Sequence, residues 1–218
     1  MIAVTGAEGR LGSLVLEGLM KEVAPDRLVA LVRHPERAAR LVARGIRVRQ
    51  GDYFSPEAFA LAFTGIKRLL LATDGKLGQH ASHYNRAAIE AAKVAGVKFI
   101  AYASLLDGGS NVPTVAAESR ITEGLIRSSG ISFAILRNDW RIERQAEKPE
   151  SPLASGVFVS AAWDGRIGTA PCADYAAALV AVLTTDGQDG NTFELAGDEP
   201  ARVKSGSGNN HSVGKERY

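Results

Sequence analysis

One residue after the initial methionine the chain runs Ile2, Ala3, Val4, Thr5 and then places glycine at every third position, Gly6, Gly9 and Gly12. A short apolar run feeding such a turn constrains the fold more than anything else in the sequence, because it reads as strand, tight turn and helix in immediate succession. Gly6 permits the turn, Gly9 lets backbone N–H groups approach a pyrophosphate, and Gly12 lets the helix pack close on its strand. The helix N-terminus then presents its partial positive charge to the phosphates. Leu11, Leu14, Val15 and Leu19 repeat at helical spacing, and a second apolar run at 28–32 follows. A structural turn in a strand–helix–strand unit is the alternative; the matching context favours dinucleotide binding.

Strand-like runs at 2–5, 28–32, 46–50, 67–72, 98–103 and 132–136 alternate with helix-period runs at 11–22, 35–44, 55–63, 79–95 and 116–129. That alternation predicts an α/β fold, a doubly wound parallel sheet of the Rossmann type over 1–137. Beyond Arg137 the regularity loosens into a proline- and charge-bearing stretch at 147–152, an apolar triplet at 157–159 and a turn at Asp164 and Gly165. A helix from Ala173 to about Leu183 and a short strand at 192–195 follow. Residues 138–200 therefore read as an incomplete small C-terminal substrate lobe with elements returning to the sheet. From Glu199 almost nothing is apolar, so 201–218 is expected to be a disordered tail.

With 26 Lys+Arg against 24 Asp+Glu the charge is nearly balanced, and nothing global points to nucleic acid or an anionic membrane as a partner. No run of eighteen apolar residues argues for membrane insertion. No leader pattern precedes Gly6. The single cysteine, Cys172, allows no intrachain disulfide, which fits a cytoplasmic location. Cys172 has no evident paired base and reads as a small packing residue rather than a nucleophile. His80 and His83 lie three apart at a helix start, but no third ligand is near, so no metal site is expected.

Arg33 follows the second strand directly, where such a domain meets the adenosine ribose. A carboxylate there holds the 2′-OH of NAD, whereas an arginine accommodates a 2′-phosphate, so NADPH is the expected cofactor. Arg37 falls in the first turn of the next helix if Pro35 begins it, and can converge on the same phosphate. Two solvated arginines on a basic helix are the alternative, since Arg40 and Arg44 continue the series. Asp52, after the third strand, is placed either to accept from the adenine amine or to cap the following turn. A tyrosine followed four residues later by lysine, the proton-donating dyad of the large short-chain dehydrogenase group, is missing: Tyr102 is followed by Leu106 and Tyr84 by Ala88. Quinones escape that requirement in part, because a phenol of pKa near 10 leaves an anion that forms before it is protonated.

Val4-Thr5-Gly6-Ala7-Glu8-Gly9-Arg10-Leu11-Gly12, Leu31-Val32-Arg33-His34-Pro35, Gly51-Asp52-Tyr53, the run from Ala95 to Leu106, and Ile135-Leu136-Arg137-Asn138-Asp139-Trp140 resemble the NmrA-like branch of atypical short-chain dehydrogenases. Within it the similarity is to the bacterial type 2 NADPH-dependent quinone oxidoreductases, and it runs to about residue 200. The resemblance implies a Rossmann core that binds NADPH and a small lobe that closes over a quinone; it allows a homodimer. Carried onto this chain it implies Gly6, Gly9, Arg10, Leu11 and Gly12 as the phosphate loop, Arg33 at the 2′-phosphate and Asp52 at the adenine. Thr73, Tyr102 and Ser104 at strand ends would flank the cofactor, Tyr102 as the candidate catalytic group among them, while Asn138 and Trp140 would line the quinone cleft. For Trp140 the alternative is core packing at a strand exit.

The chain also departs from that pattern. Glu8 replaces a small hydroxyl residue in the phosphate loop and would repel phosphates unless it turns to solvent or pairs with Arg10. Asp74-Gly75 stands where small hydroxyl residues are common, Gly124 where lysine is common, and Arg141 and Arg144 replace aromatic and amide residues. After about Ala201 the family continues with further helices, which predicts that this chain is truncated or frame-shifted there. An NADPH-dependent quinone reductase is the leading reading; a dinucleotide-binding redox sensor and an inactive remnant are the alternatives.

Overall fold

The computed structural model describes residues 1–51, 56–72, 80–106, 114–143, 166–198 and 201–202. Strands β1 (Ile2–Val4), β2 (Leu28–Val32), β3 (Arg47–Gln50), β4 (Arg68–Leu71), β5 (Phe99–Leu105), β6 (Ser132–Asn138) and β8 (Asn191–Leu195) form one seven-stranded sheet in the order β3-β2-β1-β4-β5-β6-β8. Every pairing in it is parallel. β7 (Arg166–Ile167) and β9 (Ala201–Arg202) pair antiparallel as a separate ribbon. β1 and β2 are buried throughout, as expected of parallel strands covered on both faces, while β3 at the edge carries two arginines that discourage further pairing.

Helices α1 (Arg10–Glu22) and α6 (Cys172–Thr184) cover one face; α3 (Pro56–Ala62), α4 (Ala81–Val94) and α5 (Thr114–Ser128) cover the other. Alternate residues of each strand feed the two layers. Val4, Ala30, Leu70, Ala101, Leu136 and Leu179 belong to the first. Ala3, Leu31, Leu71, Ile100 and Ile135 belong to the second, with Phe59 and Phe63 stacked at 5.4 Å. The first layer is tight where α1 meets α6, since a Cβ on Gly18 would stand 2.7 Å from Val180 Cγ2.

α6 is pinned at its far end by Arg68 of β4. That guanidinium donates to the carbonyls of Leu183 at 3.2 Å and Thr185 at 3.1 Å, pairs with Asp186 and lies over the Phe99 ring. A cation there complements the negative end of the helix dipole.

The expected doubly wound sheet is present, with two corrections. The helix expected over 35–44 is split into a 3-10 turn, Pro35–Arg37, and a short helix α2, Ala39–Ala43. Neither piece buries a residue, and without an apolar face no packing sustains a longer helix. The elements expected to return to the sheet do so: α6 packs on the main core and β8 adds a seventh parallel strand beside β6. The strand pairing of Ala201 and Arg202 extends order into the stretch read as a tail, because Ile167 and Arg166 supply backbone partners. The triplet at 157–159, the Asp164-Gly165 turn and residues 203–218 lie outside the described residues.

Candidate functional site

In an open parallel sheet the ligand crevice lies beyond the carboxyl ends of the strands where the order reverses. Here the reversal falls between β1 and β4, which Thr5 ties together. Its N–H donates to the Leu70 carbonyl at 3.0 Å, and its hydroxyl accepts from the Ala72 N–H at 2.8 Å. The same hydroxyl lies 3.1 Å from the carbonyls of Leu70 and Ala72, either of which can take its proton. Thr5 stands one residue before the first glycine, a position the sequence offers without assigning it a role.

Gly6 takes φ +61°, and a Cβ there would stand 2.7 Å from the Ala72 carbonyl oxygen. Gly9 is the N-cap of α1, its N–H donating to the Gly6 carbonyl at 2.9 Å. A Cβ on Gly12 would strike that same carbonyl, so the helix lies on its own turn with no room between. Leu11 packs half-buried against the first core layer. Among the described residues α1 has no side-chain cap and no acid in its first turn. The first-turn N–H groups therefore face the crevice as an anion site.

Glu8 is exposed, one of the two dispositions expected for it. Arg10, the first residue of α1, reaches Glu143 at 3.2 Å, a partner 133 positions away that no local signal reveals. Both Glu143 oxygens accept from the Cys172 N–H at 3.1 Å, the first residue of α6. Burial opposes ionisation of Glu143, but its own and Cys172's backbone N–H groups, with Arg10 and Arg141, hold the carboxyl below its ordinary range. One carboxylate thus joins the N-termini of α1 and α6. Glu143→Ala is expected to lower stability by about 1–2 kcal/mol through loss of this cap, measured by urea unfolding. Cys172 is fully buried, in keeping with a packing role.

Arg33 is exposed immediately past β2, and Arg37 is exposed at the end of the 3-10 turn. Both lie on the β2 side of the switch point, where the adenosine half of a dinucleotide belongs. Asp52, Thr73, Asp74, Gly75 and Arg144 lie outside the described residues.

Tyr102 and Ser104 stand two apart on β5 and share the face turned to α5. The Tyr102 hydroxyl bonds Ser119 and Thr122, and burial pushes its phenol up. The Ser104 hydroxyl donates to Glu123 at 2.7 Å. Both side chains therefore tie β5 to α5 rather than project from the strand end, a correction to their expected placing that follows from which face of β5 meets the helix. Glu123 also accepts from Arg137 Nε at 3.0 Å and Nη2 at 2.8 Å, and from Arg127 at 3.0 Å. Arg137 in turn pairs with Glu194 of β8 at 3.0 Å.

Asn138 ends β6 and is buried, its Oδ1 without a hydrogen-bond partner among the described residues. Trp140 is 53% exposed, which removes the core-packing alternative. Gly124 has open space around it. His80 is the N-cap residue of α4, and His83 meets the Tyr84 ring edge-on.

The model of a family described as NAD(P)H-binding matches residues 6–186, from the first glycine of the turn through the end of α6. The chain belongs to the NAD(P)H-binding family. It is 46% identical over 198 residues to Quinone oxidoreductase 2 of Escherichia coli K12, covering 91% of this chain and 69% of that protein. Among solved structures it is similar to the NADPH-dependent quinone oxidoreductase of Escherichia coli complexed with NADPH, with a TM-score of 0.85 and 44% identity over 93% of this chain and 71% of that one. The triphenylmethane reductase of Citrobacter sp. complexed with NADP(H) gives the same TM-score at 32% identity, covering 93% and 72%. The NmrA-like, quinone oxidoreductase resemblance read from the motifs is thereby upheld.

Proposed function

We propose that this chain is an NADPH-dependent oxidoreductase that reduces quinones without a Tyr-Lys dyad. The 46% identity to a quinone oxidoreductase, maintained across 91% of the chain, carries the reading. The residues present fit the cofactor: a Cβ at Gly6 or Gly12 would fill the turn, and the first turn of α1 offers N–H groups to the pyrophosphate. Gly6, Gly9, Arg10, Leu11 and Gly12 would hold the phosphates, Arg33 the 2′-phosphate and Asp52 the adenine, with Thr73 beside the cofactor. Bound NADPH supplies the hydride. Trp140, half-exposed at the exit of β6, offers an aromatic face for a planar quinone. With its hydroxyl held by α5, Tyr102 is removed from proton donation, and a quinone is the carbonyl class that least needs a donor.

We place the protein in the cytoplasm, consistent with its single cysteine, and take a homodimer as its assembly; no described helix is long and apolar enough to cross a membrane.

Purified protein, NADPH and a benzoquinone or naphthoquinone should show steady loss of reduced-cofactor absorbance. Binding of NADPH without turnover would replace the reductase by a redox sensor. NADPH should bind at least about tenfold more tightly than NADH, and Arg33→Ala should erase most of that preference in calorimetric titration at low salt. Equal affinities in the wild type would defeat the assignment of Arg33.

A further inference from the structure

Two buried side-chain groups have unmet hydrogen-bonding capacity among the described residues: Asn138 Oδ1, which has no partner, and the Tyr175 hydroxyl, whose oxygen faces the Ala170 N–H but whose proton has no acceptor. Asn138 is 7% exposed and Tyr175 2%. Buried polar atoms are almost always paired, so two such groups ask for a common explanation.

Their positions supply one. Ala134 and Leu136 of β6 point into the layer shared with α1 and α6, and Asn138, two residues on, continues the same face. Ala176 and Leu179 enter that layer from α6, and Tyr175 lies on the inward face of its first turn. Between Asn138 and Tyr175 the chain is zipped to itself: Arg141 bridges Ala170, the Ile142 N–H donates to the Ala170 carbonyl at 3.2 Å, and Glu143 takes the Cys172 N–H. Both therefore lie at the carboxyl edge of the layer that contains Val4, Ala7 and Ala72 at its β1 end, with β4 and β5 between β6 and the glycine turn. β6 and Arg33 lie on opposite sides of the switch point. With the adenosine half on the β2 side, the nicotinamide half extends toward β5 and β6.

The two atoms differ in what they offer. Asn138 Oδ1 only accepts. Burial, with the Asp139 carboxylate second, pushes the Tyr175 phenol up to about 12 against the Ala170 N–H, so it stays protonated and its O–H remains a donor. A quinone carries carbonyl acceptors alone and could satisfy Tyr175 but not Asn138. A primary carboxamide carries both an N–H donor and a carbonyl acceptor.

We propose that Asn138 Oδ1 and Tyr175 Oη hold the carboxamide of the nicotinamide ring, the asparagine accepting from the amide N–H and the tyrosine donating to the amide carbonyl. Asn138 is then a positioning residue for the cofactor rather than part of the quinone cleft. The inference rests on the cofactor reading above, and the test separates the two.

Wild type, Asn138→Ala and Tyr175→Phe are titrated with NADP⁺, with 2′,5′-ADP, which lacks the nicotinamide, and with the 3-acetylpyridine analogue of NADP⁺, whose methyl ketone lacks the N–H. Each variant should bind NADP⁺ about tenfold more weakly and 2′,5′-ADP as the wild type does. Asn138→Ala should not further weaken the acetylpyridine analogue, whereas Tyr175→Phe should. The wild type alone should bind that analogue about tenfold more weakly than NADP⁺, a comparison independent of how either variant folds. Variants that match the wild type on NADP⁺, that lose 2′,5′-ADP equally, or a wild type indifferent to the analogue would overturn the pairing. Failure of the wild type to bind either NADP⁺ or 2′,5′-ADP would instead overturn the cofactor reading itself.

Discussion

Arg137→Ala is expected to cost about 3–5 kcal/mol of folding stability, because it leaves the Glu123 carboxylate buried without its bidentate partner. Glu123 is 3% exposed and accepts from Ser104 of β5, Arg127 of its own helix and both Nε and Nη2 of Arg137, whose Nη1 goes to Glu194. Ser104, Arg137 and Glu194 are register neighbours across β5, β6 and β8, so the network staples three strands and a helix at the end of the sheet nearest the crevice. Burial opposes ionisation of Glu123, but the hydrogen bonds from Arg137, Ser104 and Arg127 win and hold its pKa down to about 2. A carboxyl with a lowered folded-state pKa stabilises above its ordinary pKa of 4.5 and loses that stabilisation as pH falls toward 2. The shift corresponds to about 3 kcal/mol, of which about 2 kcal/mol should be gone by pH 3. Denaturant unfolding of wild type and Glu123→Gln at pH 7 and pH 3 checks this: the gap between them should narrow by that amount. A constant gap would mean that the carboxylate charge contributes nothing.

Gly12→Val should destabilise the fold by about 2–4 kcal/mol and abolish NADP⁺ binding, both through one collision. The atoms in the way of a side chain at Gly12 are the carbonyl group of Gly6 and the Ala7 Cα, all backbone, so relief requires opening the turn that carries the phosphate-facing N–H groups. Gly124 is the control. It sits within α5 with nothing within 4 Å of its absent Cβ, and Gly124→Ala should stabilise by about 0.5–1 kcal/mol through helix propensity. Thermal unfolding with and without NADP⁺ separates these outcomes; a Gly12→Val chain that still binds NADP⁺ normally would show that the helix need not lie on its turn.

The order of strands and helices, the glycine turn at Gly6, Gly9 and Gly12 and the arginine after β2 were all legible in the sequence, because each is a local property. Period-2 and period-3.6 hydrophobicity follow from backbone geometry, and a turn needing φ above zero declares itself through glycine. Where a helix has no buried face, as over 35–44, the same local signal overstates its length, since packing rather than propensity sustains a helix. Only the tertiary structure decided which face of β5 meets α5, and so turned Tyr102 and Ser104 inward. A strand's alternation says that Tyr102 and Ser104 share a face but not which layer that face adjoins. Arg10 with Glu143, Arg68 with the end of α6 and Thr192 with Arg127 are likewise contacts between residues far apart in the chain, and no composition or spacing encodes them. The buried polar groups of Asn138 and Tyr175 belong to the same class. Each residue type is ordinary in sequence, and only burial at one edge of one layer makes its unmet hydrogen-bonding capacity costly enough to imply a ligand.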